Sequence, residues 1–214
     1  MYTHIIWDFD GTLYDTYPGM IDAFHRTLAT ENIHVDYEEL GVSMRISISK
    51  TLARLHKEFG VSGNFEEKYV ALRDEIEKER MLPFAHGSDV CRAIRKCGKK
   101  NYMYTHRDRT SLEHLAKAGL EDCFAGCISI EDKFPHKPNP AALLHLMEKH
   151  GISPGECLMI GDRDIDVQAG KNAGMATCFF DPTGKTDPEA TYNITSLDAL
   201  YDILHIRHLA PCQE

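Results

Sequence analysis

Thr3-His4-Ile5-Ile6-Trp7-Asp8-Phe9-Asp10-Gly11-Thr12-Leu13 is the stretch on which the reading of the fold turns. Thr3 to Ile6 predicts a short apolar strand that stops at an acidic turn. The same strand texture returns after Pro83, at Asn101–Tyr104, Cys127–Ile130, Cys157–Ile160 and Ala176–Phe180. Helical patterns fall between these runs. One holds Val90 and Ile94, with Ser88 or Asp89 as its cap and Gly98 as its end; the next starts at Thr110 or Ser111, carries Leu112 and Leu115, and closes at Gly119. Ala141–His150 reads as a helix stopped by Gly151, and Val167–Asn172 as one closed by Gly174. Strands alternating with helices predict an α/β fold with a doubly wound parallel sheet.

Between the first strand and Pro83 the period changes. Ile21, Phe24 and Leu28 recur at helical spacing, as do Leu52, Leu55 and Phe59, and then Tyr69, Leu72 and Ile76. This predicts an inserted all-helical unit, with Gly60 and Gly63 separating its second and third helices. Gly41-Val42-Ser43-Met44-Arg45 reads as a loop between helices. The expected division is therefore a discontinuous core, residues 1–15 and 82–210, and a helical insert, residues 16–81. The residues from Ala210 are expected to be loose.

Composition narrows the function classes. The chain has 214 residues, 43% of them apolar and 27% charged, which suits a packed interior and a solvated surface. No apolar run approaches the ~18 residues that span a bilayer, and Met1-Tyr2-Thr3-His4 does not resemble the start of a secretory signal. The net charge of −9 argues against a nucleic-acid partner. The seven cysteines are odd in number and form no CxxC, so a reduced, cytoplasmic protein is expected; Cys123 and Cys127 read as packing thiols rather than metal ligands. The twelve histidines show no convincing ligand spacing.

In an open parallel sheet, ligands bind beyond the carboxyl ends of the strands. The residues found there are Asp8 and Asp10 after the first strand, Thr105-His106 after the second, and Gly161-Asp162-Arg163-Asp164-Ile165-Asp166 after the fourth, with Lys137-Pro138 opening the helix after the third. Each alone is an ordinary polar turn, but several at one edge form a set suited to phosphate and a divalent cation. Asp8-Phe9-Asp10-Gly11-Thr12-Leu13 resembles the first motif of the haloacid dehalogenase superfamily. Thr105 resembles its second motif, Lys137-Pro138 its third, and Gly161-Asp162 through Asp166 its fourth, GDxxxD, in the same order. Asp166-Val167-Gln168-Ala169-Gly170-Lys171-Asn172-Ala173-Gly174 is similar to the DxxAGxxAG run of phosphoglycolate-phosphatase-like members.

The resemblance implies a Rossmann-like core with an α-helical cap at residues 16–81, hinged near Tyr14–Pro18 and Leu82–His86. It implies a phosphoric monoester hydrolase in which Asp8 is the nucleophile and Asp10 the general acid and base. Lys137 balances the charge at the catalytic centre. Mg2+ is the implied cofactor, held by an Asp8 oxygen, the Asp10 backbone carbonyl and Asp162. Asp166 either accepts from a metal-bound water or pairs with Lys137, and Asp164 ranks below both. Thr12 and Thr105 are expected substrate contacts. His106 stands where the family usually has Asn, and it and Arg107 are either substrate contacts or exposed. Arg45 is a candidate for a distal carboxylate or second phosphate, or else a surface arginine.

The expected partner is a small phosphorylated metabolite, phosphoglycolate or a sugar phosphate, acted on by a monomer or homodimer without membrane or nucleic acid. Two alternatives stay open. One is a phosphomutase of the β-phosphoglucomutase type; the other is a non-catalytic metabolite-binding protein on the same fold, against which the intact Asp8 and Asp10 count.

Overall fold

Strand β1 (His4–Trp7) runs inside a six-stranded parallel sheet with β2 (Lys100–Tyr104), β3 (Phe124–Ile128), β4 (Cys157–Gly161), β5 (Ala176–Phe180) and β6 (Tyr192–Ile194). The spatial order is β3-β2-β1-β4-β5-β6. Strand order therefore reverses at β1, whose Trp7 is in register with Met103 of β2 on one side and Ile160 of β4 on the other. Such a reversal opens a crevice at the carboxyl edge, and Asp8 enters it directly. The structure, a computed structural model, describes residues 1–207; the tail expected to be loose from Ala210, and Cys212, lie outside the described residues.

The chain divides into two compact units, Met1–Tyr14 with the chain from Pro83 onward, and Asp15–Leu82. In the first, the sheet is flanked by α5 (Gly87–Lys96), α6 (Thr110–Lys117), α7 (Ala141–His150), α8 (Asp164–Asn172) and α9 (Leu200–Ile203). One core layer packs Ile6, Tyr102 and Met159 of the strands against Leu143 and Leu146 of α7 and Ala169 of α8. The indole of Trp7 is fully buried, and its N–H donates to Asn101 Oδ1 at 2.9 Å. The Asn101 amide in turn donates to the carbonyls of Cys91 and Cys123, so this polar group costs little inside the core.

The second unit is helical: α1 (Tyr17–Thr30), α2 (Tyr37–Ile46), α3 (Ile48–Phe59) and α4 (Phe65–Arg80). The Ile21, Phe24 and Leu28 stripe of α1 is buried, and the Phe24 ring meets Phe65 and Tyr69 of α4 edge-on at 4.9 and 5.1 Å. No helix among the described residues is long and apolar enough to cross a membrane.

Several local expectations are corrected. Gly41–Arg45 is not a loop but lies inside α2, so the insert has four helices; Asp36 caps α2 by accepting from the Glu39 N–H at 2.8 Å, and Leu40 and Met44, one turn apart, are buried. Phe59 falls at the end of α3 and is half exposed, so that stripe buries Leu55 fully and Leu52 in part. Helix α5 starts at Gly87 behind His86 (φ +67°), with no side-chain cap from Ser88 or Asp89. Strand β3 ends at Ile128 rather than Ile130, because Ser129 begins a short helical turn in which its N–H donates to Asp132 Oδ2 at 2.8 Å. Helix α8 starts at Asp164 rather than Val167, since Asp166 Oδ2 accepts from the Arg163 N–H at 3.2 Å and closes the first turn. Strand β6 is an addition that no sequence pattern suggested.

Candidate active site

Asp8 leaves β1 as the chain passes between its two neighbours. Its N–H donates to the Ile160 carbonyl at 2.9 Å, so the backbone stays in sheet geometry one residue beyond the strand. The chain then doubles back: the Phe9 carbonyl accepts from the N–H groups of Leu13 and Tyr14, and Gly11 N–H donates to the Tyr14 carbonyl at 2.8 Å. Gly11 sits at φ +76°, a region that a residue with Cβ enters at a cost. This tight return holds Thr12 buried, and its hydroxyl donates to Asp162 Oδ1 at 3.1 Å, tying the first strand's turn to the fourth's.

Lys137 is the centre of the cluster. Its Nζ donates to Asp8 Oδ1 at 2.8 Å, Asp166 Oδ1 at 2.7 Å and the Tyr104 carbonyl at 2.9 Å. An ammonium has three protons, and all three are used. The side chain is buried, and the Tyr104 ring centroid lies 4.5 Å from Nζ. Burial opposes the charged form of Lys137, but the Asp166 and Asp8 carboxylates outweigh it and raise its pKa, so the lysine is held as a cation. Burial pushes Asp8 up to about 6; Lys137 opposes that rise and Asp166 adds to it.

Asp166 reaches Lys137 because Gly161 lacks a side chain. A Cβ there would lie 2.2 Å from Asp166 Cβ, so the glycine that ends β4 is what lets the first turn of α8 fold back over the strand. Asp164, by contrast, is exposed, and its Oδ1 accepts from the Ile165 N–H.

Asp10 faces the second strand's exit. Arg107 donates to it through Nη2 at 2.6 Å and Nε at 3.0 Å, and the Arg107 side chain is 1% exposed. Thr105 Oγ1 accepts from the Arg107 N–H at 3.0 Å, which fixes the turn carrying that guanidinium. Of the two open readings of Arg107, exposure is excluded. His106 Nε2 accepts from the Lys137 backbone N–H at 3.0 Å. Burial first, then the charge of Lys137, pushes the His106 imidazole down to about 3, so it is neutral.

Carboxylate oxygens of Asp8, Asp162 and Asp166 lie within 4.8 Å of one another. Among the described residues, Asp8 Oδ2 is buried with no hydrogen-bond partner, and the Arg163 guanidinium approaches it only to 3.7 Å. A hard divalent cation takes oxygen ligands of this kind, so the donor set fits magnesium. The carboxylates of Asp8, Asp10 and Asp166 face the cations Lys137, Arg107 and Arg163, and Asp162 accepts from the Thr12 hydroxyl beside them. A divalent cation and a phosphoryl dianion would enter such a cluster as a neutral pair.

The sequence-derived candidates Asp8, Asp10, Thr12, Thr105, His106, Lys137, Asp162 and Asp166 thus converge at one end of the sheet. Arg45 belongs to the helical unit, where its guanidinium lies 4.3 Å from the centroid of Tyr17. Two contributors went unnoticed in the sequence. Arg163 stands in a variable position of GDxxxD, where nothing marks it as a neighbour of Asp8. Tyr104 reads only as a strand residue, since a carbonyl and a ring face leave no motif.

The chain matches the family described as haloacid dehalogenase-like hydrolase over residues 5–180. It is 31% identical to a phosphoglycolate phosphatase of Vibrio vulnificus over 188 residues, covering 81% of each chain. It is 29% identical to pyrophosphatase PpaX of Bacillus cereus over 210 residues, 94% of each. The crystal structure of a hydrolase from Streptococcus pneumoniae superposes with a TM-score of 0.66 at 31% identity, covering 96% of this chain and 99% of that one.

Proposed function

The chain belongs to the haloacid dehalogenase-like hydrolase family, and from that premise we propose that it is a magnesium-dependent phosphatase that hydrolyses a small phosphomonoester through an aspartyl-phosphate on Asp8. The observation that carries this reading is the buried Lys137 joined to both Asp8 and Asp166, with Asp162 within reach of the same space.

An Asp8 carboxylate oxygen attacks phosphorus, and the bond to the leaving oxygen breaks as that oxygen takes a proton from Asp10. Water then attacks the aspartyl-phosphate, Asp10 takes its proton back, and the bond from Asp8 to phosphorus breaks to release phosphate. Lys137 neutralises charge around the attacked group, and Arg107 orients the Asp10 carboxylate. Thr12 and Thr105 are assigned to phosphoryl contacts. Magnesium, when held by Asp8, the Asp10 backbone carbonyl and Asp162, with Asp166 beside them, supplies the positive charge that lets an anionic nucleophile meet an anionic substrate. The helical unit, residues 15–82, is assigned substrate selection as the family's cap, with phosphoglycolate or a sugar phosphate as the substrate class.

The test is release of inorganic phosphate from a panel of phosphomonoesters, with magnesium and after chelation, while also following isomerised product. Turnover is expected only with the metal, and Asp8→Asn is expected to lower kcat by roughly a thousandfold or more. A parent without turnover, or an Asp8→Asn variant with undiminished turnover, rejects the reading.

A further inference from the structure

The end of β2 grips Lys137 at two places. Tyr104 holds the ammonium, through its carbonyl at 2.9 Å and its ring face at 4.5 Å. Two residues on, His106 holds the backbone, its Nε2 accepting from the Lys137 N–H at 3.0 Å. For Nε2 to accept, the ring must be neutral with its proton on Nδ1. The neighbouring His136 ring lies against it, centroids 4.5 Å apart and planes inclined by 36°, so the same side chain touches two consecutive residues of the loop before α7.

We propose that His106 is a positioning residue that fixes the backbone of Lys137 and thereby holds its ammonium against Asp8, the carboxylate that receives the phosphoryl group. The inference rests on the phosphatase reading and adds to it a role for the residue found where the family usually has Asn. It also identifies a need. When Asp8 gives its oxygen to phosphorus, the lysine loses the negative charge of one of its two carboxylate partners. The bond from His106 to the main chain does not depend on the state of Asp8, so the lysine keeps its place through both half-reactions.

The test compares two replacements of similar bulk. His106→Gln can place Oε1 where Nε2 now accepts, whereas His106→Leu fills the space without an acceptor. Hydrogen exchange at the Lys137 amide is read first, because it does not depend on turnover. Protection is expected in the parent and the Gln variant, and at least tenfold faster exchange in the Leu variant. In phosphate release from an aryl phosphate with magnesium, Leu is expected to lose about 10- to 100-fold in kcat with KM within about threefold, and Gln to stay within about threefold of the parent. Equal exchange and equal kcat in all three proteins overturn the assignment while leaving the phosphatase reading intact. A parent without turnover rejects that reading instead. If the Leu variant fails to fold, Gln decides: a folded Gln variant with tenfold lower kcat or an unprotected Lys137 amide overturns the proposal, and one that keeps both supports it.

Discussion

The α/β core and the helical unit bury different things. Among the described residues, the buried charged side chains of the core are Asp8, Lys99, Arg107, Lys137 and Asp166; the helical unit buries Glu77. The exposed large apolar side chains divide the other way: Tyr37, Val42, Ile46, Phe59 and Leu82 in the 68-residue helical unit, against Met1, Ile130 and Leu144 in the larger core. The core therefore spends stability on holding charges out of water, Asp8 and Asp166 against Lys137 and Arg107 against Asp10. The helical unit is held by apolar stripes, chiefly that of α1 against Phe65 and Tyr69 of α4, and it exposes more of its large apolar side chains. Chemistry concentrates where burial makes charge strong, and tolerance concentrates where it does not.

This contrast can be broken experimentally, most severely at Lys137. Lys137→Met would leave Asp8 and Asp166 buried without their shared cation. A loss of about 3–5 kcal/mol is expected in urea unfolding at pH 7, together with loss of phosphatase activity. Unchanged stability would mean that the cluster is less dry than its burial indicates.

The dependence on acidity sharpens the same contrast at a smaller scale. His106 is held down to about 3 by burial, then by Lys137, His136 and Arg163, with Asp166 opposing. The ordinary value for histidine is near 6.5, so between these limits the unfolded chain binds a proton that the folded chain does not. Stability from this source is complete above about pH 6.5 and declines as pH falls toward 3. Melting temperatures of the parent should therefore drop more steeply from pH 6.5 to 4.5 than those of His106→Gln. Parallel curves would remove His106 from the account.

The smallest effects are expected on the helical unit. Val42→Ser and Ile46→Ser, both on exposed positions of α2, should each change unfolding free energy by no more than about 0.5 kcal/mol and leave kcat unchanged. A rise in KM at constant stability would assign that face of α2 to substrate selection.

Much of the core was legible because its signals are local. Short strand-like runs between turn signals marked five of the six strands, and His150-Gly151 marked the end of α7 where the structure has it. The fourth motif was placed correctly after a strand, but only Asp162 and Arg163 lie between β4 and α8. The misplacements are local too: the Asp132 and Asp166 side chains accept from the Ser129 and Arg163 N–H groups and so moved the end of β3 and the start of α8. Helix α2 was missed because Leu40 and Met44 alone make too short a stripe to register as a period.

The amino-acid sequence by itself determined the alternation of strands and helices, and with it the edge at which Asp8, Asp10, Thr105, Lys137 and Asp162 gather. Periodicity and turn chemistry act over a few residues and are written along the chain. Only the tertiary structure decided who pairs with whom: Arg107 with Asp10, His106 with the Lys137 amide, and Tyr104 with the lysine's charge. Those contacts join positions some 30 to 100 residues apart. Their geometry is set by sheet order, which no local pattern encodes.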